Sequence, residues 1–178
     1  MHEFLRNFVS RLMPQRTMKP TLPTFPETKR KTPNVSARKI KPTHILLHHT
    51  SGAYKGSVAW CCDPVSKVSY HCIIARDGRR TVLAEPTART WHAGRSEWQG
   101  RNDCNSFMVG IAWEGDTKTD PLEEAALQSA CEYLLPIIQE HGIPIWNIVR
   151  HADVATGRKD DCSIVAARKL RDTITKYG

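Results

Sequence analysis

Long apolar runs are missing from this sequence of 178 residues, and so is the continuous hydrophobic stretch of a secretory signal. A helix needs about 20 mostly apolar residues to cross a bilayer, so the sequence predicts neither a membrane span nor classical secretion, and a cytoplasmic chain by default. Cysteine is sparse as well. Six residues, at 61, 62, 72, 104, 131 and 162, fall far short of a disulfide-stapled scaffold and read as reduced thiols. Acidic residues are scarce at one end only: residues 1–42 hold ten Lys/Arg against two Asp/Glu, whereas 43–178 hold sixteen of each sign. The formal net charge of +8 is therefore a property of the N-terminal segment, and the neutral remainder argues against a nucleic-acid-binding domain.

What is present in that segment falls into two parts. Between residues 3 and 13, Phe4, Leu5, Phe8, Val9, Leu12 and Met13 share one helical face, with Arg6, Asn7, Ser10 and Arg11 opposite. Such a short basic amphipathic helix suits either an anionic membrane surface or a site on its own domain. Residues 14–42 hold six of the eleven prolines and predict a semi-extended linker. The domain boundary is thus expected at 42/43.

From Thr43 the pattern changes. An apolar strand, Ile45-Leu46-Leu47, runs into His48-His49-Thr50-Ser51-Gly52, and further strands are expected over 69–75, 81–84, 108–113 and 145–150. A helix is predicted from an Asp120 cap with Pro121 at its first position, kinked or split at Pro136 and ending before Gly142, and Ser163 should cap a last helix. Strands mixed with helices without strict alternation imply an α/β fold, a mixed central sheet flanked by helices.

Two histidine-bearing stretches stand out: His48-His49 at the strand end, and His151-Ala152-Asp153 followed by Lys159-Asp160-Asp161. Were the two loops to meet above one sheet edge, two imidazoles and a carboxylate would form a three-ligand zinc site with a fourth position open, as hydrolytic zinc enzymes require. Histidines near loops also serve as caps and hydrogen-bond partners, and spacing alone leaves both readings standing.

Five segments in order resemble the type 2 zinc-dependent N-acetylmuramoyl-L-alanine amidases, the family of phage lysozyme-like amidases, muropeptide-recycling amidases and animal peptidoglycan recognition proteins. They are Ile45–Gly52; Val68-Ser-Tyr-His71 with Arg76-Asp-Gly78; Trp91–Arg101; Val109-Gly-Ile111; and His151–Asp161. The resemblance runs from Thr43 to the C-terminus. It implies a phage-lysozyme-type amidase fold, a Zn2+ cofactor, and hydrolysis of the bond between N-acetylmuramic acid and L-alanine.

The resemblance also implies roles for single residues. The first metal ligand maps to His48, leaving His49 structural, and the second to His151. The third maps to Asp161, two positions after a catalytic lysine at Lys159, with Cys162 as the alternative ligand. Lys159 would stabilise the oxyanion, and Tyr70 stands where the phage branch has its catalytic tyrosine. The recycling branch continues its Gly-Ile into a catalytic glutamate, which is Ala112 here, so the base falls to Tyr70 or to Glu114 on the same strand face. His92, Trp98 and Arg101 are candidates for substrate contacts. The expected partner is peptidoglycan or a muropeptide, met by a monomer. The basic segment favours a wall-lytic enzyme, released to the wall at lysis if phage-derived, over a cytoplasmic amidase recycling anhydromuropeptides. A non-catalytic recognition or regulatory protein is the alternative of another class.

Overall fold

The computed structural model describes residues 21–178; the amphipathic segment 3–13 lies outside them. Strands β1 (Glu27–Lys29) and β2 (Val35–Lys39) come first. β3 (His44–His49), α1 (Tyr54–Cys61), β4 (Cys72–Ile74), β5 (Arg80–Val82), β6 (Ala88–Thr90), β7 (Glu97–Trp98), β8 (Arg101–Asn102) and β9 (Met108–Trp113) follow, and α2 (Glu124–His141), β10 (Ile148–Arg150), α3 (His151–Val154) and α4 (Ile164–Tyr177) complete the chain. The main sheet has the order β1-β5-β4-β9-β3-β10, with β4 and β5 antiparallel and every other pair parallel. β2 pairs with β6, and β7 with β8, in two small antiparallel sheets. This is the mixed, helix-flanked sheet that the sequence predicts. Among the described residues no helix is long and apolar enough to cross a membrane.

The central strands are buried on both faces, which is why they read as apolar runs rather than alternating ones. Ile45 and Leu47 of β3, with Val109, Ile111 and Trp113 of β9, pack against α2 and α4. Leu46 and Met108 point the other way, as does Ala112, and the alternation puts His48 on that face too. α4 begins where expected, with the Ser163 hydroxyl accepting from the Ala166 amide at 3.1 Å. α2 does not. It starts at Glu124, because Asp120 is engaged in the preceding loop, its amide donating to the Asp116 carbonyl and its carboxylate pairing with Arg76. Nor does Pro136 split it: the proline lies on the exposed face, where the carbonyl it leaves unbonded meets water, and the helix ends at Gly142 with φ 61°.

The boundary at 42/43 needs correcting. β1 pairs in parallel register with β5, Glu27 opposite Arg80 and Lys29 opposite Val82, and β2 pairs with β6. The prolines that suggested a linker flank these strands at positions 23, 26, 33 and 42 instead of interrupting them. The junction is locked by charge. The buried Arg80 guanidinium meets Glu27 at 2.9 Å and Glu132 of α2 at 2.6 Å, and also reaches the Ser129 carbonyl. Removing one partner strands buried charge and unpaired polar atoms, so Arg80→Met is expected to cost about 3 kcal/mol, read as a lower urea midpoint. A loss under about 0.5 kcal/mol, the scale of an exposed pair, would contradict this role.

Candidate metal centre and active site

β3 and β10 are neighbouring parallel strands, with Leu47 opposite Arg150. Their C-terminal ends therefore deliver His48 and His151 side by side. The Asp161 carboxylate closes the group. His48 Nδ1 lies 3.1 Å from His151 Nδ1 and 3.1 Å from Asp161 Oδ2, and His151 Nδ1 lies 3.0 Å from Asp161 Oδ1. All three residues are buried.

This triangle fits a metal. Ligands about 2.0–2.1 Å from a tetrahedral zinc are separated by roughly 3.3 Å, close to the spacings found here. The donor chemistry fits as well. The far ring nitrogen of each imidazole is already engaged: His48 Nε2 contacts His92 Nδ1 at 3.2 Å, and His151 Nε2 contacts the Ala93 carbonyl at 3.1 Å. With protons on both Nε2 atoms, both Nδ1 lone pairs converge on one point. Burial pulls the His48 pKa down to about 4, so the imidazole is neutral at pH 7. Burial alone would raise that of Asp161, but the His151 and His48 rings 3.0–3.1 Å away outweigh it and hold the carboxyl far below the usual range. Two imidazole nitrogens and one carboxylate form a donor set suited to a divalent cation.

Cys162 is not part of it. Its side chain is fully buried in the cluster beneath α2 and α4, and burial pushes its thiol up to about 12, away from the thiolate form that ligation requires. His49, on the other strand face, accepts from the Thr117 amide at 3.2 Å and sits 3.3 Å from Asp116, the structural role expected of it.

His92 departs from the substrate-binding role suggested by the resemblance. It is 6% exposed, and both ring nitrogens are occupied, Nδ1 by His48 and Nε2 by the Met108 carbonyl at 3.2 Å. With Nε2 donating, Nδ1 accepts from His48 and fixes the tautomer that turns His48 Nδ1 to the metal point. Gly110 makes the arrangement possible, because a Cβ there would lie 2.5 Å from His92 Cγ. Sequence reasoning placed His92 in a groove-lining motif; the strand contact was invisible to it.

Glu114 is also spoken for. Its carboxylate accepts from the Tyr54 amide at 2.9 Å, at the start of α1, and from the Arg76 amide at 3.1 Å. A carboxylate fixed by two backbone donors, with no contact to the His48 cluster, is an anchor and not a base. Ala112, where the resemblance would place a glutamate, is the register partner of His48, and packs in one cluster with Tyr70. Tyr70 does reach the centre: its ring lies 5.1 Å from that of His48, tilted by 54°, and burial pushes its hydroxyl pKa up, so it stays protonated. Lys159 is exposed and near enough for its charge to act on His48.

Beside the centre runs an open cleft of about 580 Å³ lined by Arg95, Trp98, Asn102, Asp153, Thr156 and Arg158 among others. Trp98 lines this cleft, whereas Arg101 is turned aside, its guanidinium 3.8 Å over the Phe107 ring. Sequence reasoning missed Arg158. It donates to the Ala93 and Arg95 carbonyls at 2.8 and 2.7 Å, tying the Trp91–Arg101 loop to the loop carrying Lys159, and its carbonyl partner Ala93 is the one that orients His151.

Known proteins share this architecture. A crystal structure of a selenomethionine AmpD derivative superposes with a TM-score of 0.66 at 24% identity, covering 85% of this chain and 97% of that one. The complex of E. coli AmiD with an anhydro-N-acetylmuramic acid tripeptide gives 0.64 at 26%, covering 75% and 59%. In sequence, the 1,6-anhydro-N-acetylmuramyl-L-alanine amidase AmpD of Escherichia coli K12 is 38% identical over 95 residues, 53% of this chain and 51% of the relative. The N-acetylmuramoyl-L-alanine amidase AmiD of the same organism is 30% identical over 132 residues, 66% and 47%. The chain spans about half the length of these curated relatives. The profile of one family matches residues 38–163, bracketing all three donors and Lys159, and by that match the chain belongs to the N-acetylmuramoyl-L-alanine amidase family.

Proposed function

We propose that this protein is a zinc-dependent amidase that hydrolyses the amide between N-acetylmuramic acid and L-alanine in peptidoglycan. The observation that carries the reading is the convergence of His48 Nδ1, His151 Nδ1 and an Asp161 oxygen within 4.8 Å of one another. Zinc held by these three would polarise the scissile carbonyl and acidify a water. The chain's own residues supply the rest. Lys159 places a positive charge at the rim, available to the oxyanion. The Tyr70 hydroxyl, protonated at neutral pH, can orient the attacking water or give its proton to the departing amine of L-alanine. His92 and the Ala93 carbonyl hold the two imidazoles in place, and Trp98 offers an aromatic face to a sugar ring.

The names of the AmpD relatives support a second substrate context, soluble 1,6-anhydro muropeptides. The cationic N-terminal segment supports the intact wall, where positive charge concentrates an enzyme at an anionic surface. Release of new L-alanine amino groups from purified peptidoglycan and from a soluble anhydromuropeptide, with and without chelator, tests both. Chelator-sensitive hydrolysis of the wall is expected. Absence of hydrolysis on either substrate by zinc-loaded, folded protein would end the amidase reading.

A further inference from the structure

Strand pairing sets His48 and His151 side by side, but Asp161 lies outside any strand, on the irregular stretch that leads into α4. Two ties hold that stretch, one from each histidine's own segment. On the His151 side, the amide of the next residue, Ala152, donates to the Asp161 carbonyl at 2.6 Å. On the His48 side the tie is indirect. β3 and β9 are parallel neighbours that end together, His49 opposite Trp113, so the chain leaving β9 emerges beside the chain leaving β3. It turns at Gly115, where φ is 83°, and is fastened there: the Ser51 amide donates to the Gly115 carbonyl at 2.8 Å and the Gly115 amide to the Gly52 carbonyl at 3.1 Å. Two residues on comes Thr117, 9% exposed. Its amide donates to His49 Nδ1 at 3.2 Å, and its hydroxyl, 3.1 Å from the same nitrogen, accepts from the Ser163 amide at 3.0 Å.

We infer that Thr117 is a positioning residue for the metal centre. Through His49 and the Ser163 amide it joins the end of β3, which carries His48, to the stretch that carries Asp161, and so sets the distance of the third donor from the first. Ser163 is two residues after Asp161, and Cys162 between them is packed in the core, which leaves little slack to absorb a shift. Among the described residues the Ser163 amide has no other acceptor. Lys118 pairs with Asp160 and links the same two stretches, but both side chains are exposed, and exposed pairs hold little. The buried hydroxyl is the firmer link. Groups that orient metal ligands without touching the metal are worth about 10–100-fold in metal affinity. The inference rests on the zinc reading above, and metal affinity, not hydrolysis, is its readout.

The test is the zinc dissociation constant of the full chain, measured by competition with a chromophoric chelator, for the parent, T117V, T117A, T117S and T119V. Valine keeps the shape and the amide of Thr117 without the hydroxyl, and serine keeps the hydroxyl. Thr119 is exposed in the same loop and its hydroxyl reaches only Asp116 and Asp120, which makes T119V the control. T117V and T117A should bind zinc at least about tenfold more weakly than the parent, with T117S and T119V within about threefold of it. Parental affinity in T117V or T117A overturns the inference, even if the urea midpoint of the metal-free variant falls. So does a loss that T117S or T119V shares, which would trace the effect to loop packing, and so does failure of both T117V and T117A to fold, which would make Thr117 a folding residue. A parent that binds no zinc overturns the zinc reading together with this inference; a parent that binds one equivalent, matched by T117V, overturns this inference alone.

Discussion

Asp161→Ala is expected to abolish stoichiometric zinc binding and to lower amidase turnover roughly a thousandfold or more, about 4 kcal/mol of barrier. The carboxylate is one of three donors, 3.0–3.2 Å from both imidazole nitrogens, and no neighbour can replace it. The obvious stand-in, Cys162, points into the core under α2 and α4, and its buried thiol is pushed up to about 12. Cys162→Ala should therefore keep its metal and its turnover, with only a modest drop in stability for the sulfur removed from a packed interior. Metal content by elemental analysis and initial rates of L-alanine release separate the two variants. Zinc retained by the Asp161 variant and lost by the Cys162 variant would transfer the third ligand to sulfur and refute this geometry.

Much of this centre was legible in the sequence because β3 and β9 are long, apolar and buried on both faces. Met108–Trp113 forms a strand over the expected residues, and β3, ending on His48-His49, presents the His48 imidazole at its C-terminal end. The second donor loop, His151 with Asp161, came from the family resemblance, since spacing alone left a metal site and ordinary hydrogen-bonding histidines equally open. Other roles were hidden because they depend on contacts across the chain. Glu114 shares a strand face with Ala112, as alternation requires, yet the chain turns immediately after it and its carboxylate folds back on the Tyr54 and Arg76 amides. His92 reads as groove-lining until the absence of a Cβ at Gly110 lets its ring settle against β9. β1 and β2 were least visible. They are three and five residues long, mostly exposed and flanked by prolines, without the periodicity from which a strand is read.

The segment so easily taken for a linker also holds a buried residue that braces the loop leading into Tyr70. Asn34 is 1% exposed, and its side-chain amide is shared among the Cys61 carbonyl at 3.3 Å, the Asp63 carbonyl at 2.8 Å, the Ser66 hydroxyl at 2.9 Å and the Val68 carbonyl at 2.9 Å. Its own carbonyl accepts from the Ser69 hydroxyl, and Ser69 is in turn bonded to the Trp91 backbone in both directions. The irregular loop from Cys61 to Ser69 is thus held from outside the family match at 38–163 by Asn34 together with Thr32, whose hydroxyl donates to the Cys61 carbonyl at 2.5 Å, and Tyr70 is the next residue. Asn34→Ala removes a buried amide donor, but the Cys61 carbonyl keeps the Thr32 hydroxyl and the Asp63 and Val68 carbonyls keep the Ser66 hydroxyl, so the expected cost is about 1–2 kcal/mol in stability. At a temperature where the variant is still folded, kcat should fall about tenfold, as expected when a proton-transfer group is misplaced, with KM little changed, because the cleft beside the metal centre is built from other loops. The decisive comparison is a double-mutant cycle with Tyr70→Phe: if Asn34 acts through the tyrosine, removing the hydroxyl from the Asn34→Ala background should cost far less than from the parent. A folded Asn34→Ala protein with parental kcat, or strictly additive losses, would reduce Asn34 to a stabilising residue and separate this segment from the chemistry.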